Sequence, residues 1–179
     1  RYKDLFVALV DTNPERSDIA FDHILFEREF AVPALVEFFQ ILHNQTLSLG
    51  SSFDRYSVQG ITDASDEVNR STYELLNHDF THYEIYLLTL NVLQLMGFSQ
   101  DQRCIEALSY CLEDSAVAEF KIEACKAVED LKVYDERLIA SLEICMHSDN
   151  EKLAEYASDT ISSVKSFVPK AKNLVSKAQ

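Results

Sequence analysis

Apolar residues recur three and four positions apart along most of this 179-residue chain, the spacing that lays one side of an α-helix against a core. Lys3 to Val10 make a short apolar helical segment, closed by the turn chemistry of Asp11, Asn13 and Pro14. Ser17 or Asp18 then offers an N-cap for a helix whose stripe is Ile19, Phe21, Ile24, Leu25 and Phe26. Pro33 suits the first turn of the next helix, which carries Leu35, Val36, Phe38, Phe39, Ile41 and Leu42. Together 17–47 read as an aromatic helical hairpin. Over 48–69 the period fails, because Gly50, Ser51, Ser52, Gly60, Asp63 and Asp66 interrupt it. This irregular loop either packs Phe53, Arg55, Tyr56 and Val58 back on the helices or presents them to a ligand. Helical spacing resumes at Ser71 or Thr72, with Tyr73, Leu75 and Leu76. Asp79 reads as the cap of a long helix through Met96, with Gly97 as its stop.

From Gln102 to Phe167 the same pair of helices is written twice. Arg103, Ile105, Leu108 and Cys111 return as Arg137, Ile139, Leu142 and Cys145, and Cys104 with Leu138 fits the same offset. In the second helix Val117, Phe120, Ala124, Cys125, Val128 and Leu131 are answered by Leu153, Tyr156, Thr160, Ile161, Val164 and Phe167, two residues further along. The shift falls at the turn near Ser115 and Asp149, where a loop tolerates insertion and a packed helix face does not. The units 98–132 and 133–167 are therefore expected to be repeats. A degenerate third is expected at 70–97, where Ile85, Leu90, Leu93 and Met96 align with Phe120, Cys125, Val128 and Leu131. A lone pair leaves much of its apolar surface wet, so such units stack, and 168–179 is expected to be a capping helix. The whole chain, 1–179, reads as one all-α domain, an α-α superhelix.

The acidic turn at Glu113 and Asp114, followed by Val117, Ala124, Ala127, Val128 and Leu131, resembles HEAT-type repeats in their short bacterial form. The resemblance covers 72–167 well and 17–43 loosely. It departs from the pattern where Phe120 or Lys121 takes the place of the usual basic residue, which leaves armadillo-like and other paired-helix arrays open. Tetratricopeptide landmarks of Trp, Gly and Pro are missing. What the resemblance implies is a short right-handed solenoid with a concave surface lined by second helices. Two enzymatic HEAT-like families do not carry over. The deoxyhypusine hydroxylases use His-Glu dipeptides as iron ligands, and the chain has none; the alkylpurine DNA glycosylases use a basic groove with Trp, and this chain is acidic and lacks Trp.

Composition agrees with helix: 47% apolar residues with 3 Gly and 3 Pro exclude disorder and disfavour a turn-rich β fold. The formal charge of −14 disfavours nucleic acid and anionic membranes as partners; it suits a basic protein surface, or simply keeps solvated helix faces soluble. The one local excess of cations is the four Lys after Thr160, which complement a helix C-terminus. Cys104, Cys111, Cys125 and Cys145 fall on apolar stripes at no metal spacing, so a reduced, cytoplasmic protein is expected. No apolar run approaches the roughly 20 residues that span a bilayer. The chain begins at Arg1 and not at Met, which allows for further repeats upstream.

Candidate chemistry is sparse. His78 and His82 stand four apart and on one continuous helix could share a metal, which makes a metal-binding or enzymatic module with nearby carboxylates the alternative reading. Asp79 as a cap would break that helix. His23, His43 and His147 have no spaced partners, and acidic pairs such as Glu27 with Glu29 are too common here to mark an acid–base couple. No phosphate-cradling glycine loop or nucleophile elbow occurs. Catalysis, metals and cofactors are not expected. Protein binding is, as a scaffold, adaptor or regulatory subunit, with candidate contacts at Glu119, Lys121, Glu123 and Lys126 and at the loop residues Phe53, Arg55 and Tyr56.

Overall fold

Helix starts are set by short polar side chains that satisfy otherwise orphaned N–H groups. The computed structural model describes residues 2–49 and 80–167, in which these starts are plain. Among the described residues eight α-helices follow in order: α1 Lys3–Ala8, α2 Pro14–Phe26, α3 Arg28–Leu49, α4 His82–Ser99, α5 Ile105–Asp114, α6 Ala118–Leu131, α7 Glu136–Met146 and α8 Glu151–Ser166. A 3-10 turn, Gln102–Cys104, precedes α5. There is no strand among the described residues, so the all-α expectation holds there. The expected helix at 71–76, most of the 48–69 loop and the 168–179 cap lie outside the described residues.

Two of the expected caps are replaced. The N-cap of α2 is Asn13, whose side chain accepts from the Glu15 N–H at 3.0 Å, with Pro14 in the first turn where its missing donor costs nothing. Ser17 instead donates from Oγ to the Leu9 carbonyl at 2.7 Å and ties α2 to the end of α1. At α4 the cap is Thr81 and not Asp79. Thr81 Oγ1 accepts from the Glu84 N–H and Glu84 Oε1 accepts from the Thr81 N–H, both at 3.1 Å, which closes a reciprocal capping box. Asp135 and Asn150 cap α7 and α8 in the ordinary way.

Over 17–47 the expected hairpin takes another form. Glu27 alone separates α2 from α3, and helix hairpins need loops of about 2–5 residues. The helices fall instead into two rows of neighbours. In one, α3 packs on α5 and α5 on α7; in the other, α4 packs on α6 and α6 on α8, with α2 also against α4. The rows face each other as α3 on α4, α5 on α6 and α7 on α8. In the first helix of each pair, residues matched by the sequence offset share burial: Cys104, Leu108 and Cys111 are buried, as are Leu138, Leu142 and Cys145; in the second, Tyr156 and Phe167 are half-buried where Phe120 and Leu131 are buried.

Helix α4 is enclosed on most sides, because α2, α3 and α6 all lie against it. Ile85, Leu88, Thr89, Val92, Leu93, Leu95 and Met96 are buried, a pattern too wide for a single stripe. Its broadest contact is with α6, and Gly97 explains why. A Cβ at Gly97 would lie 2.6 Å from the Ala127 Cα and 2.9 Å from the Ala127 carbonyl oxygen. Gly97 is therefore a close-approach residue inside the helix rather than its stop. The helix runs on to Ser99 and ends at Gln100, which adopts the left-handed conformation at φ 52°.

Pro33 also sits deeper than expected, in the second turn of α3, where it cannot donate to the carbonyl of Glu29. That carbonyl is served from another part of the chain: Arg103 Nη2 donates to it at 3.0 Å. Asp101 holds the guanidinium in place, accepting from Arg103 Nε at 2.9 Å and from Nη2 at 2.6 Å. The same Asp-x-Arg sequence opens α7, where the Arg137 guanidinium lies 4.9 Å from the Tyr110 ring centroid and 3.9 Å from Glu106. Both arginines reach back one helix along the same row, Arg103 to α3 and Arg137 to α5.

Two outcomes follow from this packing. Gly97→Ala is expected to lose roughly 1–3 kcal/mol of stability, because the clash is with backbone and overrides the ~1 kcal/mol that Ala gains over Gly inside a helix; urea denaturation of the variant measures it. Arg103→Ala is expected to lower the melting temperature more in the natural background than in Pro33→Ala, where a restored N–H can serve the Glu29 carbonyl. A double-mutant cycle read by thermal melts gives the sign of that coupling.

Candidate protein-binding surface

Helix α2 has two apolar faces, and only one of them is used. Ala20 and Ile24 point into the core, with Phe21 and Leu25 packed at its edge. Ile19 and Phe26, seven residues apart and so about 20° apart around the helix, are 60% and 88% exposed. The sequence stripe placed both in the core, which the structure corrects. Phe30, in the first turn of α3, is 67% exposed. Phe26 and Phe30 line one cleft of about 260 Å³ together with Glu27 and Glu29.

The corner that presents these rings is fixed by polar contacts. The Glu27 carboxylate accepts from Tyr2 Oη at 3.2 Å and lies 3.7 Å from His23 Nε2. Arg28 Nη1 donates to the Leu25 carbonyl at 3.4 Å, near the end of α2. Glu29 is bound through its carbonyl to Arg103, as described above, while its side chain is exposed. Exposed large apolar side chains on a positioned backbone, rimmed by charge, mark a contact surface more often than a defect.

Of the residues singled out on α6, Glu119, Glu123 and Lys126 share one face by helical spacing, and Lys121 lies on the opposite one. Glu119 is exposed, and Lys121 is half-buried. Glu123 and Lys126 are brought together, at 3.6 Å, and Lys126 Nζ also lies 5.6 Å from the centroid of Tyr156 on α8. Lys126 thereby serves the α6–α8 contact. Phe53, Arg55 and Tyr56 lie outside the described residues, as does His78. Phe80 and Thr81 are not helical and α4 begins at His82, so no continuous helix places positions 78 and 82 on one face. Among the described residues no three His, Cys, Asp or Glu side chains converge as a metal site.

All four cysteines are free and buried. Burial pushes the thiol of Cys104 up to about 11 and that of Cys125 up to about 12. Burial also raises Cys111 and Cys145, against the partial pull of Lys121. Cys145 Sγ donates to the Leu112 carbonyl at 3.3 Å. Thiols held neutral in this way are poor nucleophiles at neutral pH. A second hollow, about 470 Å³, lies between α7 and α8 and is lined by Glu143, Met146, His147, Ser158, Ile161, Ser162 and Lys165. It is a shallow surface feature with no enclosed polar group.

The chain matches no protein-family model, no curated protein and no solved structure.

One buried titratable group stands apart from that surface. His43 of α3 is 3% exposed, stacks on Phe39 with ring centroids 5.5 Å apart, and its Nε2 has no hydrogen-bond partner among the described residues. Burial lowers its pKa from the ordinary value, and the Asp114 carboxylate opposes that only in part. A base whose pKa is depressed by folding contributes stability above its unfolded pKa and loses it as pH falls below that value. The protein is therefore expected to lose stability as pH drops from about 6.5, before its carboxylates begin to protonate. Urea midpoints at pH 7 and in the mildly acidic range should converge in His43→Phe, which keeps the ring stacking and removes the titration.

Proposed function

We propose that this protein is a binding module: a short HEAT-like α-solenoid that acts as a scaffold, adaptor or regulatory subunit and performs no catalysis of its own. The observation that carries this reading is the exposure of Phe26 and Phe30 on either side of one cleft at the α2–α3 corner. Exposing two phenylalanines forgoes roughly 1.5–3 kcal/mol of burial each, a cost that a partner surface recovers. A catalytic reading has no comparable support in the described residues, where the thiols are neutral and no carboxylate pair is enclosed.

The solenoid assignment is supported by the order of the helices. Neighbours in chain order face each other across two rows, and next neighbours pack along each row, which is how stacked helical hairpins arrange themselves. The reach-back of Arg103 and Arg137 repeats along one row at the same offset as the apolar pattern. Four free, buried cysteines suit a reducing, cytoplasmic setting. The partner is a protein with a basic surface, since the chain carries a formal charge of −14.

Affinity capture from native lysate with the purified chain as bait is expected to recover a protein partner that is lost with Phe26→Ser/Phe30→Ser and kept with Glu151→Gln. Both phenylalanines are exposed, so the double variant is expected to keep its melting temperature. A partner retained equally by the double variant would move the binding site elsewhere, and recovery of a metal or small molecule in place of a protein would end the adaptor reading.

A further inference from the structure

The α2–α3 corner carries charge as well as apolar area, and the charge is arranged. Glu15, Asp18 and Asp22 are exposed and, by helical spacing, share one flank of the stripe that Ile19 and Phe26 form. Arg16 and His23 lie on the opposite flank, and both already face acids: Arg16 is 3.2 Å from Asp11 and His23 is 3.7 Å from Glu27. Across the Glu27 joint, Phe30 of α3 lines the same cleft as Phe26, beside the exposed Glu29. Ile19 and Phe26 are anchors seven apart on α2, and the cleft that Phe26 shares with Phe30 ends their stripe, which is acidic along one edge.

Resting on the protein-binding reading, we propose that this corner binds a basic amphipathic helix of a partner protein. Its apolar side chains would seat against Ile19 and in the cleft between Phe26 and Phe30, and its Lys or Arg residues would lie along Glu15, Asp18 and Asp22. The seven-residue spacing of Ile19 and Phe26, with the cleft at its end, selects a helix, because apolar residues at helical spacing on a partner meet anchors placed this way. From Ile19 to Phe26 seven residues at the helical rise make the α2 part of the docking line about 10 Å, or two turns. The acidic edge selects its sign. A second copy of this chain would bring the same acidic edge against itself, and an anionic bilayer would meet both that edge and the overall negative charge.

The probe is a fluorescein-labelled 14-residue synthetic helix of Leu and Lys, with Leu at three- and four-residue spacing, and its control has Glu in place of Lys. In fluorescence anisotropy with the full chain, the Lys peptide is expected to bind and the Glu peptide not. Phe26→Ser/Phe30→Ser should weaken the Lys peptide roughly tenfold or more. Asp18→Asn/Asp22→Asn should weaken it and flatten its salt dependence, while Glu136→Gln/Glu151→Gln, equal in charge but remote from the corner, should leave it unchanged. Binding that follows net charge alone, with the remote variant as damaging as the local one, overturns the proposal. So does dimerisation of the unliganded chain in sedimentation that Phe26→Ser/Phe30→Ser abolishes, or tighter binding to phosphatidylglycerol vesicles than to the peptide. If the lysate partner depends on Phe26 and Phe30 but neither peptide binds, the basic-helix assignment falls and the protein-binding reading stands.

Discussion

The close approach of α4 to α6 at Gly97 and Ala127 is the constraint on which the other contacts depend. Two backbones can come this near only where one side chain is a hydrogen and the other a methyl group. Because α4 is also covered by α2 and α3, it joins the N-terminal helices to the α5–α8 pairs, and its apolar residues are buried on more than one face. Enlarging the contact at Gly97 therefore shifts a helix that has neighbours on several sides. Close-packed interiors resist such shifts, since each displaced side chain has little free space to enter.

The second tie between the two ends is polar. A proline within α3 leaves the Glu29 carbonyl without its helical donor, and the Arg103 guanidinium, oriented by Asp101, supplies one across 74 positions of sequence. The proline and the arginine thus form one device: the first creates an acceptor that the second uses to fix α3 against the entry to α5. At the next step along the row Arg137 meets a tyrosine ring and a carboxylate instead. Arginine suits both settings because its planar fork can donate to a carbonyl or lie over an aromatic face. Buried serines add smaller links of the same kind, as where Ser141 Oγ donates to Glu113 Oε1 at 2.7 Å between α7 and α5.

The one-residue joint at Glu27 gives the molecule its outward-facing corner. With only Glu27 between them the helices cannot pair along their lengths, and α3 packs on α4 instead. The apolar face left open at this corner is therefore a consequence of chain connectivity, and the surrounding carboxylates keep it hydrated in the absence of a partner.

Much of this architecture was legible in the sequence, because helical periodicity is a local property. The apolar pattern located the helices between 102 and 167 with their buried residues, and the offsets paired Cys104, Leu108 and Cys111 with Leu138, Leu142 and Cys145, all of which are buried. The aromatic character of 17–47 was also visible, and it drew attention to the segment that carries the candidate surface. The sequence could not decide which face of α2 meets the core, since a helix with apolar residues on two sides is amphipathic in either direction until its neighbours are placed. Nor could it distinguish a stopping glycine from a close-approach glycine at Gly97, or an entry proline from the interior one at Pro33. Each of those depends on what lies across the interface: the Ala127 backbone in one case, the Arg103 side chain in the other. Periodicity by itself determined that this chain is helical and where much of its apolar stripe lies; tertiary packing alone decided which apolar residues remain outside.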